Sequence, residues 1–208
     1  MHFDFSNLNI ESQSNLTQEK NSNLNTKTNV LVYKNPNESR FDSTRKLIIV
    51  YGIASAMSYL HKHDIIHRDL KPANILMDDF LFLKIADFGL SKVTTIEKVD
   101  SLLKSTQGSI KWTPIYMAPE IWQSLEYSKT SDVYAFGLIL YELFTQTKPF
   151  DGCNVFQIPM MLLKKYRPRF NKEIPHIIKN LITRCWSEDP KQRPTFDQII
   201  DELKNNKE

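Results

Sequence analysis

Asp69, Lys71, Asn74 and Asp87 are the residues whose types and spacing can do chemistry. They lie in one short stretch, His67-Arg68-Asp69-Leu70-Lys71-Pro72-Ala73-Asn74, followed by Ile85-Ala86-Asp87-Phe88-Gly89. Asp69 and Lys71 alternate along an extended loop, so they can address the same space. Asp69, preceded by Arg68, is placed to accept a proton from an incoming hydroxyl. Asn74 follows five residues later, and Asp87 arrives after a turn at Asp78-Asp79. An amide oxygen beside a carboxylate suits hard Mg²⁺. The competing reading is that all four are solvated turn residues between strands.

The elements that must position these groups follow from periodicity. Ile75 to Met77 and Leu81 to Ala86 are short apolar runs bounded by turn residues, the two strands of a hairpin. Such a hairpin brings Asn74 and Asp87 together. Ahead of the loop, Asp42-Ser43 are good helix caps. Leu47, Val50, Tyr51, Ala54, Met57 and Leu60 then recur at helical spacing up to His61. Downstream, Leu90 to Lys111 is rich in Ser, Thr and Lys, the composition of a mobile segment. Ser131 to Leu143 is apolar almost all round, as a buried helix must be. Asp132 at its start is costly to bury unless hydrogen bonds satisfy it. Pro149-Phe150 ends that region, Asp151-Gly152 turns the chain, and a shorter helix covers Val155 to Lys165. Ile177 to Lys204 reads as two helices parted by Ser187-Glu188-Asp189-Pro190. Trp186 reads as a core aromatic. His61, His63 and His67 invite a metal site, against which stands the plainer reading of helix-end polar residues and a packed histidine.

Composition narrows the classes. A chain of 208 residues with 41% hydrophobic content is sized for one packed domain. The net charge of +3 is spread over both signs with no basic run interleaved with aromatics, which argues against nucleic acid. Apolar runs break before membrane-spanning length, and Met1 opens no signal peptide. Cys153 and Cys185 lie far apart and read as reduced, buried thiols, which places the chain inside the cell, in the cytoplasm. Residues 1–29 are rich in Asn, Ser and Thr and are predicted to be disordered, since they bury too little apolar surface to offset their ordering entropy. Residues 30–206 form the domain. Val30 to Lys34 is a brief apolar run that stops at Asn35-Pro36-Asn37, a turn signal.

The run from His67 to Gly89 resembles the catalytic loop and the metal-binding Asp-Phe-Gly of eukaryotic protein kinases. Thr113-Pro114-Ile115-Tyr116-Met117-Ala118-Pro119-Glu120 resembles the end of their activation segment. Cys185-Trp186, Asp189-Pro190 and Arg193-Pro194-Thr195 resemble the last helices of the tyrosine-kinase-like branch. Lys71, two residues after Asp69, is the serine/threonine pattern. The likeness covers residues 31 to 206 in order. It implies a mainly α fold, the large C-terminal lobe, with a small β-hairpin at the catalytic loop and the small lobe absent. The first glycine is Gly52, so no glycine-rich loop covers ATP. Val30 to Lys34 imitates the phosphate-gripping strand, but too few residues follow for the helix and strands that the family needs next.

By the same resemblance Asp69 is the catalytic base, Lys71 contacts the transferred phosphate, and Asn74 and Asp87 hold Mg²⁺; Lys71, Asn74 and Asp87 thus bind the ATP cofactor. Thr113 orients Asp69 and the substrate hydroxyl. His67, Arg68, Phe88 and Gly89 complete the two motifs, Asp132 holds the catalytic-loop backbone, and Glu120 pairs with Arg193. Thr94, Thr95, Ser101, Ser105, Thr106 and Ser109 either accept a phosphate that pairs with Arg68 or simply keep a loop soluble. Trp112 stands where the family has glycine. Two functions follow: an ATP-dependent kinase acting on Ser/Thr of protein substrates, and a non-catalytic kinase-like lobe that binds a protein partner through its exposed face.

Overall fold

The computed structural model describes residues 28–29, 43–78, 81–87, 92–93, 114–124 and 126–205. Among the described residues, five short strands and six α-helices run in the order β1 (Thr28–Asn29), α1 (Ser43–Lys62), β2 (Ile65–Ile66), β3 (Ile75–Met77), β4 (Leu83–Ile85), β5 (Lys92–Val93), α2 (Pro119–Ser124), α3 (Lys129–Thr145), α4 (Ile158–Leu163), α5 (His176–Cys185) and α6 (Phe196–Asn205). The architecture is mainly helical with small antiparallel sheets.

The core is built around α3. Ser128 caps it with a reciprocal box, its hydroxyl accepting from the Ser131 N–H while the Ser131 hydroxyl accepts from the Ser128 N–H. Every residue from Ser131 to Thr145 is buried. Gly137 is where α5 comes closest: a Cβ built there would stand 2.7 Å from Cys185 Cβ. A methyl group at that position forces the two helices apart, a cost of about 1–3 kcal/mol for overpacking. Cys185 is fully buried, and burial pushes its thiol far up, so it packs as a small apolar side chain. Cys153 and Cys185 are both free thiols.

Helix α1 lies across α3 and α6. Its buried face is Ile49, Val50, Ile53, Ala54, Met57 and Leu60, whereas Leu47 is 46% exposed. The predicted stripe included Leu47 and Tyr51 and omitted Ile49 and Ile53. The partner surfaces set the phase of the buried face, because several neighbouring positions of α1 are apolar. Ser58 donates to Asp197 of α6, and Lys62 reaches the same carboxylate at 2.9 Å.

Two small sheets pack against α1 through β4 and β2. β3 and β4 pair antiparallel with Ile75 opposite Ile85, and β1 pairs with the other edge of β3, Asn29 opposite Leu76. β2 pairs with β5. The second hairpin strand is shorter than the predicted Leu81 to Ala86. Asp78 turns the chain instead, its carbonyl accepting from the Leu81 N–H and its carboxylate from the Phe82 N–H. Thr28 and Asn29 fall in the segment expected to be disordered, yet they form β1. The rest of that segment and Val30 to Lys34 lie outside the described residues. Leu83 packs its Cδ1 2.9 Å from where a Gly52 side chain would begin, so the missing side chain lets the hairpin rest on α1.

Candidate active site

The site starts from a carboxylate behind it. Asp132, in the first turn of α3, is 2% exposed. Its Oδ2 accepts from the His67 N–H at 2.9 Å and its Oδ1 from the Arg68 N–H at 3.0 Å. His61, at the end of α1, brings Nε2 to 2.9 Å from Oδ2. Three donors satisfy a buried acid that would otherwise be costly. The consequence is geometric, since two successive peptide groups of the loop are tied to one rigid helix end. Arg68 holds φ of +70° there, a conformation rare for a side chain of its size.

His67 is wholly buried and links the loop to the hairpin. The Asp69 N–H points at Nδ1, 3.4 Å away, and Nε2 lies 3.2 Å from the Ala86 carbonyl. A backbone N–H needs an acceptor and a carbonyl needs a donor, so the ring carries its proton on Nε2.

Asp69 projects from the tied segment. Lys71 Nζ lies 2.6 Å from its Oδ2, and Asn74 Nδ2 donates to the same oxygen at 3.1 Å and to the Asp69 carbonyl at 2.8 Å. Asp69 and Lys71 have side chains 14% and 15% exposed, so this ion pair is partly desolvated and oriented. A 3₁₀ turn, Pro72–Asn74, carries Asn74 to the base of β3, where its carbonyl accepts from the Ala86 N–H at 2.8 Å. The hairpin therefore sets Asn74 and the residue before Asp87 side by side. Asp87 is exposed and, at φ +64°, leaves the strand direction. With its amide nitrogen committed to Asp69, Asn74 keeps its amide oxygen as an acceptor. An amide oxygen and an exposed carboxylate at one end of a hairpin are the hard donors that Mg²⁺ takes.

Arg68 and Tyr127 close the neighbouring side. The Arg68 guanidinium stands 5.7 Å from the Tyr127 ring centroid, and its buried Nε has no hydrogen-bond partner among the described residues. Burial, and secondarily the charge of Asp69, push the Tyr127 phenol far up, so it stays protonated. A small cavity between Arg68, Asp69, Tyr116 and Tyr127 has room for about one water.

A second charge cluster pins α2. Arg193 donates to Glu120 through both terminal nitrogens, at 2.6 and 2.8 Å, and to the Thr130 and Ser187 carbonyls at 3.0 Å each. Its plane lies 5.1 Å from the Tyr134 ring, and its side chain is fully buried.

Thr113, Phe88, Gly89 and the six Ser/Thr residues from Thr94 to Ser109 lie outside the described residues. The three histidines go to separate partners, His63 to the Tyr59 carbonyl, and among the described residues no His, Cys, Asp or Glu cluster is arranged to hold a metal by itself. In the sequence His61 is a helix-end residue, and nothing local distinguishes Tyr127. Asp132 lies 71 positions from His61, and no local pattern announces that contact.

The family model for protein tyrosine and serine/threonine kinases matches residues 14–203. The chain belongs to this kinase family. Similar proteins include three of Dictyostelium discoideum: an RGS domain-containing serine/threonine-protein kinase, 39% identical over 75% of this chain and 13% of the relative; a probable LIM domain-containing serine/threonine-protein kinase, 37% identical over 76% and 23%; and a dual specificity protein kinase, 37% identical over 76% and 11%. The chain spans 11% to 23% of the length of these three relatives. The kinase family supplies a frame for the geometry: a tied loop presenting one acid, a lysine beside it, and two oxygen donors at the end of a hairpin. No helix among the described residues is long and apolar enough to cross a membrane.

Proposed function

We propose that the chain carries the catalytic loop of a serine/threonine protein kinase, transferring the γ-phosphate of ATP to Ser or Thr hydroxyls of a protein. One observation carries this reading. Asp69 is held at Oδ2 by Lys71 and Asn74 while its backbone is tied to Asp132 through the preceding residues. Such a carboxylate is oriented before substrate arrives. In the reaction the substrate hydroxyl oxygen bonds to the γ-phosphorus, the bond from phosphorus to the ADP oxygen breaks, and Asp69 takes the hydroxyl proton. Lys71 sits beside Asp69 and offers its charge to the moving phosphoryl group. Asn74 and Asp87 are the residues that fit Mg²⁺, which neutralises charge on the ATP phosphates when bound.

Finer assignments belong to the same proposal. Thr113 orients Asp69 and the acceptor hydroxyl, and Phe88 with Gly89 position Asp87. Arg68, whose Nε has no partner among the described residues, receives a phosphate carried by the Ser/Thr segment that follows. We read residues 30–206 as the large lobe alone, of the tyrosine-kinase-like branch, in a cytoplasmic protein, with a disordered segment ahead of β1. No glycine precedes Gly52, so this chain brings no glycine-rich loop over ATP, and turnover by the chain alone is weak. That same feature favours the second reading, a non-catalytic kinase-like lobe that binds partners.

Labelled phosphate transfer from ATP to Ser, Thr and Tyr peptides decides between them. Transfer to Ser or Thr that disappears in Asp69→Asn supports the first reading. Equal incorporation by both proteins supports the second. Melting with Mg²⁺-ATP isolates the nucleotide site: at about a hundred times the dissociation constant, a ligand adds roughly 2.7 kcal/mol. That amounts to about 5–10 °C for a domain of this size, and Asp87→Ala should abolish it.

A further inference from the structure

The start of α1, the end of α3 and the loop into α5 gather lysines that no catalytic role uses. Lys46, in the first turn of α1, lays its Nζ 5.3 Å from the centre of the Phe144 ring near the end of α3. The loop that carries Lys172 is fastened to the same helix end, where Asn171 donates to the Thr147 hydroxyl at 3.1 Å. Burial first, and the charge of Lys172 second, hold the Lys46 ammonium below its usual range. Two cations from separate elements are thus held near each other. Among the described residues neither has a carboxylate partner. The aromatic face and the carbonyl end of α3 account for one cation there. They do not account for a second, which costs stability by repulsion.

Lys172 also edges an open cleft of about 660 Å³, walled by Glu173, Ile174, Pro175, His176 and Lys179. Lys179 stands 5.3 Å from the centre of the Phe170 ring, and that ring packs in turn on Tyr141 and Trp186. Core aromatics therefore set where two of the three lysines sit. Glu173 is the one acid of the lining, and among the described residues it pairs with none of these cations. The residue types indicate the ligand. Planar carboxylates are matched by the guanidinium fork, and no arginine lines the cleft. Ammonium groups are compact point charges, suited to the many oxygens of clustered phosphates.

We propose that Lys46, Lys172 and Lys179 form an anion site for a compact ligand bearing several phosphate groups, separate from the nucleotide site. The phosphates belong either to a soluble polyphosphate or to a lipid headgroup. A ligand held there bridges α1 and α5 and cancels the repulsion between Lys46 and Lys172. The site stands whether or not the chain transfers phosphate.

The test is a calorimetric titration of the full chain with inositol hexakisphosphate at about 0.15 M salt, where weak surface attraction is screened. Expected is saturable binding, with a melting temperature raised by about 5–10 °C at a hundred or so times the dissociation constant. Lys179→Gln changes an exposed side chain, keeps the fold, and should weaken binding about tenfold, the loss of one charge-assisted contact. Lys46→Met/Lys172→Gln should abolish binding and, without ligand, melt slightly above the parent, because the repulsion is gone. A merely structural Lys46 would make that variant melt lower. Asp87→Ala should bind the anion as the parent does. Absence of binding, equal binding by the lysine variants, or loss in Asp87→Ala overturns the site, the last by placing the anion with the nucleotide. Displacement by poly-glutamate of equal total charge overturns the choice of phosphate. Phosphatidylcholine vesicles with and without phosphatidylinositol bisphosphate separate the two sources: lysine-dependent recruitment to the former assigns the headgroup, and none assigns the soluble anion.

Discussion

Asp132 and Arg193 are both buried charges, but the two regions they organise use charge differently. Asp132 faces backbone: two loop N–H groups and one imidazole converge on it. Arg193 faces a side-chain partner, with Glu120 matched in a two-toothed pair and two carbonyls completing its fork. In the first region the counter-group is the loop itself, so loss of the acid displaces the backbone that carries Asp69. In the second, loss of the base strands a carboxylate between helices, 22% exposed and unbalanced. One arrangement sets where Asp69 sits; the other holds packed elements together.

The largest effect expected from breaking this contrast is on stability. Arg193→Met should cost about 3–5 kcal/mol, because breaking a buried pair from one side leaves the other charge uncompensated. Urea unfolding measures it. Adding Glu120→Leu should restore most of the loss, since replacing both partners by apolar groups is often neutral. A double variant as unstable as the single one would mean that the carbonyl contacts of Arg193, not its ion pair, hold α2.

Asp132→Asn sharpens the other half. An amide keeps one acceptor oxygen but turns a donor toward a loop N–H, so a loss of about 1–3 kcal/mol is expected. Phosphate transfer by the folded fraction should fall by about tenfold or more, as misplacement of a catalytic group costs rate. If activity merely tracks the folded fraction measured by unfolding, the division between positioning and holding is wrong.

The smallest effect concerns Asp197, the acid that ties α6 to α1. The Ser58 hydroxyl first, and Lys62 second, hold its carboxyl below the usual carboxylate range. A folded-state value below the unfolded one stabilises the protein above about pH 4, and the gain is lost as pH falls through the folded value. Half of the side chain is exposed, which screens the interaction to about half a kcal/mol. Asp197→Asn should therefore lower stability slightly at pH 7 and flatten the decline below about pH 4. An unchanged acid profile would show that the contact adds nothing.

The sequence revealed the helices through long periodic runs and their caps. The predicted opening at Asp42-Ser43 became a helix from Ser43, and the buried run Ser131 to Leu143 became Lys129–Thr145. Ile75 to Met77 formed its strand as expected. What escaped was tertiary. The burial phase of α1 is chosen by surfaces distant in sequence, because its apolar residues occupy more than one stripe. At the site, the resemblance to kinases supplied the Glu120–Arg193 pairing and the duty of Asp132, and the structure places those groups in contact. His61 carried no signal, since a histidine at a helix end is locally unremarkable. The cover that Tyr127 gives Arg68 joins residues 59 positions apart, a distance at which propensity has nothing to say.

The clamp on the loop also has a place in time. The N–H of His67 and its acceptor on Asp132 are 65 residues apart, and the chain emerges from the ribosome N-terminus first at about 5–20 residues per second. For several seconds, therefore, the newborn loop has no anchor, and the left-handed turn at Arg68 has nothing to hold it. The segment that carries Asp69 is synthesised first, and it is set only when a helix made later folds behind it.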